Sequence, residues 1–268
     1  ELLESTSEFE YVTDISIKST GNSSEIYASV VSGTYQGEDH ESSPSDGLFR
    51  SSDNGETWEQ VLPNIPGTNT PYSPSDIEIT SSGKIFIGTM KNLNGDGGAT
   101  ILSSLTGDIG SWSINSDYQN IIEGSNSNNI PGRVVISSCE SEPEVLYAVI
   151  GSGFINYMGF NLSHGNYIIK SLNAGNDWEL INLPTNEGGD WASLAWHALE
   201  ISVAPEDPQT VFIGGLELYR SMDGGNSWDN LSDWDLMYYG GGDRYIHADI
   251  HQVVFQPNNS DAITVTSD

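Results

Sequence analysis

A short pattern, S-x-D-x-G-x-[ST]-W, recurs along the chain and restricts it to folds that repeat one hairpin corner. Ser51, Asp53, Gly55, Thr57 and Trp58 form one copy; Ser221, Asp223, Gly225, Ser227 and Trp228 form another. Ser171, Asn173, Gly175, Asp177 and Trp178 make a third, in which Asn replaces the central Asp. Residues 104–112 make a fourth, with one extra residue and no central Asp. The two full copies each follow a short aromatic-containing strand pattern, residues 47–50 and 217–220. In such a corner the Asp carboxylate accepts hydrogen bonds from backbone N–H groups of its own turn. The glycine takes the left-handed conformation, and the Trp leaves the turn to cover the next hairpin.

A second element precedes each corner: a strand, a polar turn and another strand. Residues 14–17 pair with 26–30, 76–79 with 85–88, 133–136 with 145–149, 199–203 with 211–214, and 252–255 with 262–265. Period-2 alternation and β-branched enrichment mark these as strands. Pro205, Asp207, Pro208, Pro257, Asn258 and Asn259 punctuate matching turns. The units start near residues 14, 76, 133, 199 and 251, and each holds about four strands, which is one blade of a β-propeller. A lone four-stranded blade cannot bury both faces, so blades stack. The predicted fold is therefore all-β, a propeller of four-stranded antiparallel blades in a single domain spanning residues 1–268. Four blades are complete and a fifth is partial. Residues 1–12 are available as closing strands, and a larger parent propeller is the expectation. A β-sandwich with chance turn similarity is set aside, because sandwich strands do not repeat one signature at a fixed phase.

The charge balance is extreme, with 8 Lys and Arg against 38 Asp and Glu for a formal −30. That field repels phosphate backbones and anionic lipid surfaces, so no nucleic-acid partner is expected. Three readings of the acidity stay open: a solvated self-repelling surface, carboxylates that bind a divalent cation, and a face for a basic partner. Cys139 is the only cysteine and lies in an apolar stretch, as a buried inert thiol would. No apolar run is long enough for a membrane span, so no membrane insertion is expected. No basic-then-apolar leader opens the sequence, which suits a mature form or a fragment.

The long Gly/Ser/Asn-rich insertions at residues 34–46, 92–99, 116–129 and 154–166 are where binding is expected on a rigid scaffold. The sharpest chemical cluster is His247, Asp249 and His251. Placed at i, i+2 and i+4 of a strand, they share one face and converge on a transition metal, a proton-transfer pair, or simply one another. Asp243 and Arg244 lie just upstream, after three glycines. Asn92, Asn94 and Asp96, followed by Gly97, match the opening of a calcium loop, with Ser103 where the closing Glu is required. This loop admits calcium as a cofactor, and ordinary turn chemistry competes with it. Trp191, Trp196, Trp234, Tyr238 and Tyr239 suit either a sugar-stacking platform or inter-blade packing.

The corners at residues 51–58 and 221–228 resemble the Asp-box, or BNR, repeats of sialidases, sortilin-type receptors and some xyloglucan-cleaving glycoside hydrolases. The wider pattern, including the strand-P-x-x-P-strand unit and residues 247–251, is similar to sortilin-like repeat proteins exported by gliding and marine Bacteroidetes. The resemblance runs from Asp14 onward and implies a longer parent chain, type IX secretion and a secreted or cell-surface location. Sialidases hold their substrate carboxylate with three arginines. Of Arg50, Arg133, Arg220 and Arg244, two occupy the repeated position before a corner, so a sialidase triad is not expected. The resulting expectation is a non-catalytic module that binds a protein or glycan. The alternatives are a xyloglucanase-like hydrolase with paired carboxylates and a structural segment of an adhesin or secretion assembly.

Overall fold

The computed structural model describes residues 9–268 apart from positions 20, 22, 36–37, 116, 121, 123–129, 156–160, 186–187 and 258. Two compact units divide the chain, Glu1–Ser116 and Asp117–Asp268.

The first unit holds β1 (Val12–Ser19), β2 (Ser24–Val30), β3 (Gly33–Tyr35), β4 (Glu38–His40), β5 (Gly47–Ser51) and β6 (Glu59–Gln60). It continues with β7 (Ser73–Ile79), β8 (Ile85–Met90), β9 (Ile101–Ser104) and β10 (Ser113–Asn115). The strands form two four-stranded antiparallel sheets, β1-β2-β5-β6 and β7-β8-β9-β10, with β3 and β4 as a side hairpin. Alternation decides the register: Ala28 faces Ile15 on one side and Phe49 on the other. Tyr27, Leu48, Ile77, Ile85, Ile87 and Leu102 fill the space between the sheets, each fully buried side chain contributing about 1.5–3 kcal/mol. The first strands lie side by side, with the Asp14 carboxylate accepting from the Ile77 N–H at 2.9 Å and the Ser16 hydroxyl donating to the Ile77 carbonyl at 3.3 Å.

The second unit repeats the design. It contains β11 (Ile130–Ser138), β12 (Leu146–Ile155), β13 (Asn161–Ser171), β14 (Glu179–Leu180), β15 (Glu200–Ala204) and β16 (Asp207–Gly214). After these come β17 (Leu218–Ser221), β18 (Asp229–Asn230), β19 (Ile250–Gln256) and β20 (Asn259–Ser267). Sheets β11-β12-β13-β14 and β15-β16-β17-β18 are again four-stranded and antiparallel, and β19-β20 is two-stranded. Side-chain rungs again join successive first strands. The Val203 N–H donates to the Ser137 hydroxyl at 3.0 Å, and the Ser202 hydroxyl donates to the Val253 carbonyl at 2.7 Å. Cys139 is buried, its thiol 3.4 Å from the carbonyls of Ala204 and Pro205, as expected for an inert core thiol. A four-stranded meander occurring four times is the blade of a β-propeller, and the sheets begin close to the repeat starts read from the sequence.

The corners share one geometry. The Ser51 hydroxyl donates to Asp53 at 2.8 Å and accepts from the Gly55 N–H at 2.8 Å; Asp53 accepts from the Thr57 N–H at 2.8 Å. Ser221, Asp223, Gly225 and Ser227 reproduce all three bonds. Asn173 takes the place of Asp in the third corner and accepts from the Asp177 N–H at 2.9 Å. Asn54 and Gly55, Ala174 and Gly175, and Gly224 and Gly225 all have positive φ. The degenerate fourth corner keeps Ser104 as the acceptor, from the Gly107 N–H at 2.8 Å. The tryptophans then cover local surface. Trp58 meets Phe9 edge-on, Trp178 meets Tyr118, and the Trp228 indole donates to the Asn182 carbonyl at 2.9 Å.

Two loop expectations need correction. Residues 154–166 belong mostly to the long hairpin β12–β13, because strand pairing extends from Leu146↔Ser171 out to Ile155↔Asn161. Residues 34–46 hold the β3–β4 hairpin and end on buried Asp46, which accepts from the Ser32 N–H at 2.7 Å and from the hydroxyls of Ser32 and Ser42. Most of residues 116–129, and of the proposed closing strands at 1–12, lie outside the described residues.

Candidate functional site

Two crossovers in the second unit deliver chemistry to the start of a first strand. The chain from β14 to β15 passes through a 3-10 helix, Gly188–Ala192, whose Trp191 is buried with its indole N–H on the Gly165 carbonyl at 2.7 Å. Gly165 has no room for a side chain: a Cβ there would lie 2.5 Å from the Trp191 ring. Ala195 N–H to Ser163 O (3.0 Å) and Leu216 N–H to Trp191 O (3.0 Å) clamp the crossover to strands on either side. The residues that follow turn outward. Trp196 is 54% exposed and its ring lies 5.3 Å from that of His197 at 38°. Arg133 on β11 donates to the His197 carbonyl at 3.0 Å.

The crossover from β18 to β19 carries a second 3-10 helix, Trp234–Tyr239, whose Tyr238 and Tyr239 are 68% and 81% exposed. Arg244 holds this crossover in place, donating to the carbonyl and side chain of Asn230 at 3.0 Å each. That role accounts for Arg244, which the sequence nominated as a ligand group, while Asp243 is simply exposed in its turn.

His247, Asp249 and His251 do not share one strand face. β19 starts only at Ile250, and Asp249 has φ 63°, a left-handed step that breaks the alternation on which convergence depended. His247 turns its Nδ1 toward the neighbouring Ala248 carbonyl at 3.3 Å, and one Asp249 oxygen is buried with no hydrogen-bond partner among the described residues. His251 instead meets residues that no local motif nominated. Its Nε2 lies 2.6 Å from Asp268 Oδ1, while His197 Nε2 lies 3.4 Å from Asp268 Oδ2. The two imidazoles stand 4.8 Å apart at 83°. The hairpin register explains this placement only in part: Ser267 pairs with Ile250 and Thr266 with Gln252, so His251 sits in a bulge and Asp268 follows the last paired residue. His197 had no such signal.

The electrostatics of Asp268 and Glu200 diverge. Hydrogen bonds from His251 first, and His197 second, hold Asp268 below the usual carboxylate range. Glu200, at the start of β15, is pushed up to about 7 by burial, against hydrogen bonds from the Val253 N–H (3.2 Å) and the Ser202 hydroxyl (3.1 Å) and the charge of Arg133. Such a split lets one carboxyl carry a proton at neutral pH while the other stays ionised.

The expected calcium loop also closes on itself. The Asn92 side-chain oxygen accepts from the N–H groups of Asn94 and Asp96, both at 2.9 Å, which uses the first expected ligand to form the turn. Arg50 and Arg220 pair with acidic neighbours, Arg50 with Asp108 at 2.7 Å and Arg220 with Asp229 at 3.6 Å, consistent with structural roles.

No family model matches the chain. No curated protein matches it. Solved structures do. A GH93 alpha-L-arabinofuranosidase from Fusarium graminearum is similar at TM-score 0.56 and 13% identity, over 97% of this chain and 72% of the other. The GH74 enzyme of Niastella koreensis is similar at TM-score 0.49 and 17% identity over 82% of this chain. YCF48 from Cyanidioschyzon merolae is similar at TM-score 0.49 and 15% identity over 98% of it. This chain spans 31% of the Niastella enzyme and 66% of YCF48. The likeness to the arabinofuranosidase is one of fold.

Proposed function

We propose that this chain is an exported, non-catalytic β-propeller module that binds a glycan through the two crossovers of its second unit. One observation carries the reading: Trp191 is buried as packing, while Trp196, a few residues on, stays 54% exposed on a clamped segment. A large aromatic face held in solvent by a rigid scaffold marks a ligand surface. Tyr238 and Tyr239 offer further flat faces on the second crossover, and the carboxylates nearby accept hydrogen bonds from sugar hydroxyls. The Ser-x-Asp-x-Gly corners fit the Asp-box type, which supports an assignment to the sortilin-like exported proteins. Titration of neutral arabinan and xyloglucan oligosaccharides by calorimetry tests the proposal. Trp196→Ala is expected to weaken binding by tenfold or more, about 1.4 kcal/mol, without changing the melting temperature. Binding that ignores both Trp196→Ala and Tyr239→Ala would remove it.

A second reading, hydrolysis of a polysaccharide, is favoured only by the divergence between Glu200 and Asp268. A reducing-sugar assay decides: turnover that disappears in Glu200→Gln establishes an enzyme.

A further inference from the structure

We infer that His197, His251 and Asp268 form a binding site for a first-row transition-metal ion, Zn2+ by its chemistry, with water completing the shell. The site goes beyond glycan binding and does not depend on it. Two imidazoles and one carboxylate are a borderline-soft set suited to Zn2+ rather than to Ca2+ or Mg2+, which require six or more oxygens or retain their water. One ligand atom from each of the three residues lies within 4.8 Å of the others. Bonds of about 2.0–2.1 Å to a tetrahedral ion need ligand atoms roughly 3.3 Å apart. The His197–Asp268 separation of 3.4 Å already suits a shared ion, and the 2.6 Å His251–Asp268 contact has to open to reach it. All three residues are partly exposed, so an ion has an entry path and a fourth position open to water. The formal charge of −30 raises the local concentration of cations.

The backbone around the site is fixed before any ion arrives. His197 N–H donates to the Leu194 carbonyl at 2.7 Å, and its own carbonyl accepts from Arg133 at 3.0 Å. Ile250 N–H donates to the Gly215 carbonyl at 2.7 Å, and the β19–β20 register fixes Ser267, the residue before Asp268, across from Ile250. The Trp196 ring lies beside the His197 ring, 5.3 Å between centroids. The ligands come from two separate elements, the β14–β15 crossover and the β19–β20 hairpin. A bound ion would therefore tie the two-stranded sheet to the four-stranded sheet beside it. β19 is already held to that sheet by Ile250 and Val253 packed with Phe212 and Leu218 and by the Ser202–Val253 hydrogen bond, so the ion would add one further link.

The test uses protein stripped with a chelator and titrated with Zn2+ by calorimetry, with Co2+ absorption as a geometric readout. One equivalent of Zn2+ is expected, with a raised melting temperature and a visible Co2+ spectrum of four-coordinate intensity. His197→Gln, which lies in a crossover and leaves the core untouched, should weaken Zn2+ binding by about 100-fold or more, by analogy with outer-shell losses of 10–100-fold. Asp268→Asn should do the same, while His247→Ala leaves binding unchanged. Circular dichroism of each variant separates loss of a ligand from loss of fold. Wild-type protein that takes up no Zn2+, Zn2+ binding that survives His197→Gln and Asp268→Asn, or Ca2+ bound as tightly as Zn2+ would each overturn the assignment.

Discussion

The hydroxyl of Tyr147, on β12, donates a 2.7 Å hydrogen bond to the carbonyl of Pro208, on β16, joining neighbouring sheets through a fully buried ring. Burial raises the Tyr147 phenol above its ordinary pKa, so it keeps its proton throughout the physiological range. Tyr147→Phe leaves the Pro208 carbonyl without that partner and is expected to cost about 1–3 kcal/mol in urea unfolding.

Gly225 and Gly95 both have positive φ, at 89° and 84°, yet only Gly225 is crowded: a Cβ there would lie 2.3 Å from Ile181. Gly95→Ala meets nothing within 4 Å, so it bears only the left-handed backbone penalty, about 1 kcal/mol. Gly225→Ala adds overpacking, roughly 1–3 kcal/mol more. Equal losses in the two variants would show that corner packing against Ile181 contributes nothing.

Asp53 and Asp223 are held at about 2, chiefly by hydrogen bonds from Thr57 and Ser227. A carboxyl whose folded pKa is depressed stabilises the fold above its unfolded value, and that contribution is lost as pH falls toward 2. The third corner has Asn173 at the equivalent position and no such proton linkage there. Melting temperatures between pH 5 and pH 2 should therefore fall less steeply in Asp53→Asn/Asp223→Asn than in the native chain.

Glu200 has the opposite sign. Its folded pKa is about 7, above the ordinary value, so ionising it costs stability as pH rises from about 4.5 to 7. Glu200→Gln keeps an oxygen able to accept from the Val253 N–H and removes the charge. The variant should match the native protein at pH 4 and be more stable at pH 8 by thermal melting. A difference that is constant with pH would refute the assignment.

What the sequence determined by itself was local. Strand alternation, glycines with positive φ and the Ser-x-Asp-x-Gly corner act over a few residues, so the segments 14–17 with 26–30 and 133–136 with 145–149 were legible as paired strands, while the register, such as Ile15↔Ala28, came from the structure. Tertiary structure decided the site. His197 and Asp268 are 71 positions apart and meet only because a clamped crossover and a hairpin register bring them to the same place. The sequence reading of His247, Asp249 and His251 assumed an unbroken strand, and the left-handed step at Asp249 removed that assumption. Backbone preference is set by near neighbours, whereas the convergence of side chains depends on how separate elements pack, and packing has no signature in a short window of sequence.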